Sequence, residues 1–183
     1  MKLLDLINEE EKQLNRKFQY GCAMIFFNFP EMFNIHNKIN PDDLYTEPDD
    51  DSFGLDDEPH VTLLYGFHDT VTTDDILEIV DKYTFGNCDI SNPSLFKKEK
   101  YDVLKYDVLG DSLHEANKEL TKLPHTTDYP DYHPHMTIGY IKKGRGQKYV
   151  DMLKKYKPFT ISPVFAVYSK TDGNRDRLKI KIK

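Results

Sequence analysis

Two short apolar runs, each opened by Pro-His-x-Thr, constrain this chain more than any other feature. The first is His60-Val61-Thr62-Leu63-Leu64-Tyr65-Gly66 after Pro59, and the second is His135-Met136-Thr137-Ile138-Gly139-Tyr140-Ile141 after Pro134. Runs of this length, rich in β-branched and aromatic residues and bounded by proline or glycine, read as buried strands. Side chains alternate across a strand, so His60 and Thr62 are expected on one face, with Val61, Leu63 and Tyr65 on the other. The same alternation pairs His135 with Thr137. Two such strands suggest two imidazoles and two hydroxyls facing a common groove.

The bare His-x-Thr pattern is weak, because it occurs at His60, His68, His125 and His135, four of the seven histidines. Context separates them. His68-Asp69-Thr70 leaves a strand for a polar segment, and His125-Thr126-Thr127-Asp128 lies in a loop flanked by prolines. Only His60 and His135 open apolar strand patterns. A lone histidine of this kind most often makes a hydrogen bond inside a core or at a strand end; the matched pair points to function.

At 183 residues, one domain over 1–183 is expected, with an acidic insertion at about 31–59. Cys22 and Cys88 fit no metal-ligand spacing and read as reduced core thiols, in keeping with an intracellular protein. Met1–Ile7 is too short and too soon interrupted by charge for a signal peptide or membrane span, so no membrane association is expected. The net charge of −6 hides a division: residues 1–141 carry 12 basic against 28 acidic residues, and residues 142–183 carry 13 against 3. Nine acidic residues fall between Asp42 and Glu58 without one Lys or Arg. Such acidity disfavours a grip on long duplex nucleic acid, where phosphate neutralisation dominates affinity. The basic C-terminal third suits a short anionic ligand, with Lys142 and Arg145 as candidate contacts. The ordinary reading of both charge blocks is solvated surface.

Residues 2–18 show helical spacing, and Tyr20–Phe29 reads as a strand ended by Pro30. From Glu31 to Pro59 the pattern dissolves, as in a functional flap, an ordered insertion or a mobile loop. One expectation is that its acidic part hangs over the groove and repels long polyanions. Thr72 then caps a helix through Ile76, Ile79, Val80 and Tyr83, and strands are expected at about 88–97 and 100–109. Asp111-Ser112 is expected to cap a helix ending before Pro124. After the second histidine strand come a helix through Tyr149, Val150 and Leu153, then strands at about 159–169 and 177–182. Both halves thus read histidine strand, helix, hairpin, with 25 residues from His60 to Phe85 and 24 from His135 to Phe159. That order implies a duplication with one histidine from each lobe.

Phosphodiester cleavage needs a base for the attacking oxygen, an acid for the leaving oxygen and donors for the non-bridging oxygens. Imidazoles, with unperturbed pKa near ~6.5, serve as base and acid around neutral pH. Threonine hydroxyls can hold the phosphoryl oxygens. That scheme needs neither metal nor cofactor, and the sequence carries no His-Glu-x-x-His, Cys-x-x-Cys or Walker loop; Asp49-Asp50-Asp51 lacks the spacing of a calcium loop.

The paired motifs and duplicated halves resemble the two-histidine phosphoesterase superfamily, the LigT-like or 2′-5′ RNA ligase-like fold. The resemblance covers most of the chain from about Tyr20. It implies an α+β fold of two pseudo-symmetric lobes, antiparallel sheets with outer helices around a central groove. It implies metal-independent chemistry with His60 and His135 as the acid/base pair and Thr62 and Thr137 as phosphate-holding hydroxyls. More narrowly, Glu58–Gly66, Pro134–Tyr140 and the Tyr20-Gly21-Cys22 start resemble phage anti-CBASS nucleases, which cleave cyclic di- and trinucleotide immune signals. That likeness implies a cyclic oligonucleotide substrate, Tyr20, Tyr65 and Tyr140 as candidate base contacts, and a cytoplasmic location, in the host cell if phage-encoded. RNA 2′,3′-cyclic or 2′,5′-phosphodiesterase activity, or a non-catalytic nucleotide-binding module, remain the alternatives.

Overall fold

The strand patterns become nine strands among the described residues, 18–129 and 131–183, of the computed structural model. They are β1 (Gly21–Asn28), β2 (His60–Phe67), β3 (Thr84–Phe85), β4 (Cys88–Lys97) and β5 (Tyr101–Leu109), then β6 (His135–Lys142), β7 (Phe159–Ser169), β8 (Arg175–Leu178) and β9 (Lys181–Ile182). Four helices join them: α1 (Glu31–His36), α2 (Thr73–Val80), α3 (Asp111–Leu120) and α4 (Gln147–Leu153). The class is α+β with a mostly antiparallel sheet, as expected. The helix expected over residues 2–18 lies, but for its last residue, outside the described residues.

Strand order in the main sheet is β2-β1-β7-β4-β5-β6, every pair antiparallel, with β8 added beside β7. β3 and β9 form a separate short parallel pair. β7 spans the middle: Phe159, Thr160 and Ile161 pair with β4, and the strand from Ser162 onward pairs with β1. The repeated order therefore crosses over. The hairpin β4–β5 follows the first histidine strand but lies against the second, while β7 follows the second and lies against β1. Each half completes the other's sheet.

Ile25, Val61, Leu63, Leu104, Met136 and Ile138 are fully buried in one core with Ile76 of α2 and Leu113, Ala116 and Leu120 of α3; α3 packs on β2 and α2 on α3. Thr72 caps α2 reciprocally with Asp75, as its spacing implies. At α3 the expected Asp111-Ser112 cap is replaced by Gly110, which makes no side-chain cap; Asp111 sits in the first turn, where its charge meets the positive end of the helix. Helix α1 has no counterpart in the sequence reading. It is only six residues long, with Met32 and Ile35 supplying its buried side. No described helix is long and apolar enough to cross a membrane.

β2 and β6 lie at opposite ends of the strand path, yet they come into contact, so the sheet curls until its edges meet. An exposed strand edge invites foreign pairing. Here each edge is bonded by the segment leading into the other histidine strand. Along β2, Thr126 N donates to Gly66 O (2.9 Å), His68 N to Pro124 O (3.1 Å) and Tyr132 Oη to Thr62 O (3.0 Å). Along β6, Tyr45 N donates to Tyr140 O (2.9 Å), Tyr140 N to Gly54 O (2.7 Å) and Asp56 N to Ile138 O (3.1 Å). The acidic insertion is thus seated on the edge of β6 and does not hang as a free flap.

Candidate active site

The two histidine strands share a defect that alternation alone does not reveal. In β2, Met24 lies opposite Thr62 and Ala23 opposite Leu64, so Leu63 is an extra residue. In β6, Lys105 lies opposite Thr137 and Leu104 opposite Gly139, so Ile138 is extra. Both bulges fall three residues after the histidine. A bulge shifts the phase of everything beyond it by one. Tyr65 and Tyr140, five residues after their histidines, therefore join the His/Thr face; the opposite-face expectation for Tyr65 is corrected.

Proline places each histidine in the same local geometry. His60 Nδ1 lies 2.7 Å from Glu58 O, and His135 Nδ1 lies 2.9 Å from His133 O, each reaching back over the intervening proline. A carbonyl only accepts, so Nδ1 carries the proton in both rings and Nε2 is left as the reactive nitrogen. Neither Nε2 is hydrogen-bonded to another described residue. The Nδ1 device recurs at His125, bonded to Leu123 O (2.8 Å). His125 stands on the outer edge of β2 opposite Phe67, however, and His68 bonds Thr126 there (2.9 Å). The two remaining His-x-Thr matches are edge contacts.

The surroundings of the two histidines differ. His60 stacks on Phe26 (5.5 Å, 27°), and Phe26 stacks on Phe165 (5.0 Å, 11°). The Asp56 carboxylate lies 3.9 Å from His60 Nδ1, and burial raises its pKa, with the charge of His60 opposing. His135 instead meets the edge of Phe96 (4.9 Å, 88°) and faces Asp107 across the strand pair. Burial holds the His135 imidazole below the ordinary histidine range. Positive charge on Lys105 and His60 pushes it the same way, while the bond to His133 and the charge of Asp107 oppose. His60 therefore lies close enough for His135 to feel its charge. Thr62 and Thr137 are half-buried beside their histidines. The Cys22 thiol, across the strand pair from Tyr65 and next to Thr62, is pushed up to about 12 by burial, so it is a protonated neighbour and no nucleophile.

Other sequence candidates distribute unevenly. Tyr20 packs against Tyr65 (6.1 Å) and His68 (6.2 Å), lining a 470 Å³ cavity with Gln19, Asp69 and Asp172. Tyr140 is held in an aromatic cluster with Phe53 (5.2 Å) and Tyr101 (5.5 Å). Lys142 Nζ donates to Asp42 O (2.8 Å), and Arg145 pairs with the buried Asp43 (2.9 Å), which also takes Lys148 and the Tyr149 hydroxyl (both 2.5 Å). These two cations fasten the acidic insertion.

The cations on the histidine face are different ones. Lys105 lies opposite Thr137, and Arg175 and Arg177 follow the register from β1 through β7 to β8. The Arg177 guanidinium sits 3.8 Å from the Phe165 ring, and Arg175 lies over Phe26 (5.6 Å) while pairing with Glu58 (2.9 Å). Alternation signalled Lys105 and Asp107, two residues apart in a strand; their nearness to His135 is a tertiary fact. Among the described residues no three His, Cys, Asp or Glu side chains gather as a metal-holding group.

Fold and site together define an α+β protein in which two sheet-edge strands in contact carry a matched pair of Nδ1-anchored histidines, each with a threonine. No family model matches the chain, and no curated protein matches it.

Proposed function

We propose that the chain is a two-histidine phosphodiesterase of the LigT-like type that hydrolyses cyclic di- and trinucleotides, as phage anti-CBASS nucleases do. One observation carries this reading. Two Pro-His-x-Thr strands, each with Nδ1 bonded two residues back and a bulge at the third residue, meet at the closing edges of one sheet. Such a pair has the parts of an in-line displacement. His135, kept neutral by burial and by neighbouring positive charge, takes the proton of the attacking oxygen. His60, from the other lobe, delivers a proton to the leaving oxygen. Thr62 and Thr137 donate to the non-bridging oxygens. The scheme calls on these side chains for every proton and for the developing charge, so activity is expected to persist in excess EDTA.

Substrate class is supported by the His60 face of the sheet, where Arg175 and Arg177, seated over Phe26 and Phe165, offer charge to phosphates and guanidinium planes to bases. The protein is incubated with cyclic dinucleotides, cyclic trinucleotides and 2′,3′-cyclic mononucleotides, and products are resolved by chromatography. Hydrolysis of the cyclic oligonucleotides to linear products supports the reading. Turnover confined to 2′,3′-cyclic ends moves the protein to RNA-end processing, and binding without turnover makes it a nucleotide-binding module.

A further inference from the structure

The two lobes repeat the histidine and threonine but not what stands opposite them. In β1 the cross-strand partners of His60 and Thr62 are Phe26 and Met24, both buried and apolar. In β5 the corresponding positions hold Asp107 opposite His135 and Lys105 opposite Thr137. The apolar pair shows that this position in the sheet needs no charge to be stable. Lys105 is nonetheless buried, at 7% exposure, where an ammonium loses much of its hydration.

Its surroundings satisfy it only in part. An ammonium has three N–H donors. The Lys105 group bonds the Asp107 carboxylate and lies over the Phe96 ring at 4.6 Å. No further protein acceptor reaches it among the described residues. A buried cation with an unused donor, on the face of Thr137 and close enough to lower the proton affinity of His135, is placed for an anionic oxygen.

Resting on the phosphodiesterase reading, we infer that Lys105 is a further catalytic group beside the two histidines and two threonines: its ammonium binds a non-bridging oxygen of the scissile phosphate, with Asp107 positioning it. One side of the phosphate then meets a fixed positive charge from the second lobe, while the first lobe supplies its aromatic stack and arginines. Charge growing on the phosphoryl oxygens during attack meets a donor already oriented and desolvated. The same ammonium keeps His135 in its free-base form. Facing His135 from the elements packed on it are Lys105 and Asp107 of β5, Phe96 of β4 and His60 of β2. Removing Lys105 leaves Asp107 unopposed there, so the His135 pKa rises.

The test compares wild type, Lys105→Met and Lys105→Arg. NMR titration of the His135 ring, with and without inorganic phosphate as probe, reads the site without requiring turnover. The expected results in Lys105→Met are an upward shift of the His135 titration and loss of the phosphate-induced change seen in wild type. With a cleaved substrate, kcat/KM falls about 10²–10³-fold, the range for loss of one oxyanion donor. The ascending limb of its pH profile moves to higher pH, and Lys105→Arg recovers part of the loss. If Lys105→Met and Lys105→Arg both bind phosphate as wild type does and titrate unchanged at His135, Lys105 is an internal ion-pair partner and the inference is overturned. If no cyclic nucleotide is cleaved but the phosphate response depends on Lys105, the anion site stands and the phosphodiesterase reading fails alone.

Discussion

Gly66→Ala tests the crosswise closure of the sheet edges. Gly66 has φ +116°, and an added Cβ would lie 1.9 Å from the carbonyl oxygen of Thr126. The backbone conformation alone disfavours alanine by about 1–3 kcal/mol. The overlap is with main chain, so no side-chain rotation relieves it; segment 124–126 must leave the edge of β2. Two hydrogen bonds go with it, Thr126 N to Gly66 O and His68 N to Pro124 O, each contributing about 1 kcal/mol. A destabilisation of about 3–5 kcal/mol is expected. For a chain of this size that lowers Tm by about 6–20 °C. Thermal and urea unfolding, followed by far-UV circular dichroism, measure it. Gly144→Ala is the control, because Gly144 has φ +79° but nothing within 4 Å of its Cβ position. It should show only the backbone contribution. A Gly66→Ala protein as stable as Gly144→Ala would refute the idea that the pre-β6 segment is clamped on β2.

The Asp43 carboxyl is held well below the usual carboxylate range by its bonds to Lys148, Tyr149 and Arg145, in that order of effect. Its stabilisation is therefore complete above the unfolded value near ~3.9 and is lost as pH falls toward the folded one. The Tm gap between wild type and Asp43→Asn should be widest near neutrality and narrow below about pH 4; a constant gap down to pH 2 would contradict the ion cluster's role. Because Lys142 and Arg145 fasten the insertion, Lys142→Ala and Arg145→Ala should leave KM for a cleaved cyclic dinucleotide close to wild type, whereas Arg177→Ala should raise it about two- to fivefold, the equivalent of one exposed cation–π contact of about 0.5–1 kcal/mol. The reverse ranking in steady-state kinetics would make Lys142 and Arg145 the substrate contacts.

Much of the site could be read from the chain because strand alternation is local. The shared face of His60 and Thr62 follows from spacing alone, as does that of His135 and Thr137. The bulges did not follow, since an extra residue carries no letter of its own. Two traces were nevertheless present: the adjacent apolar Leu63 and Leu64, and a tyrosine five residues after each histidine, an odd offset for a polar face. Lys142 and Arg145 stand out by charge and by proximity in sequence to His135, but the partner of a surface cation is decided by packing. The buried Asp43, fixed by a chain segment some hundred residues away, claimed Arg145. Arg175 and Arg177 share the face of His60 because β7 crosses to β1, a connection that no local pattern records.

The most direct measurement is the rate of cyclic dinucleotide cleavage by His60→Ala and His135→Ala, each with unfolding curves to show that the fold persists. An acid or base is worth about 10²–10⁴-fold, so each variant should fall by that factor while its melting transition stays close to wild type. Near-normal turnover by either folded variant would contradict a mechanism that needs one imidazole from each edge of the sheet.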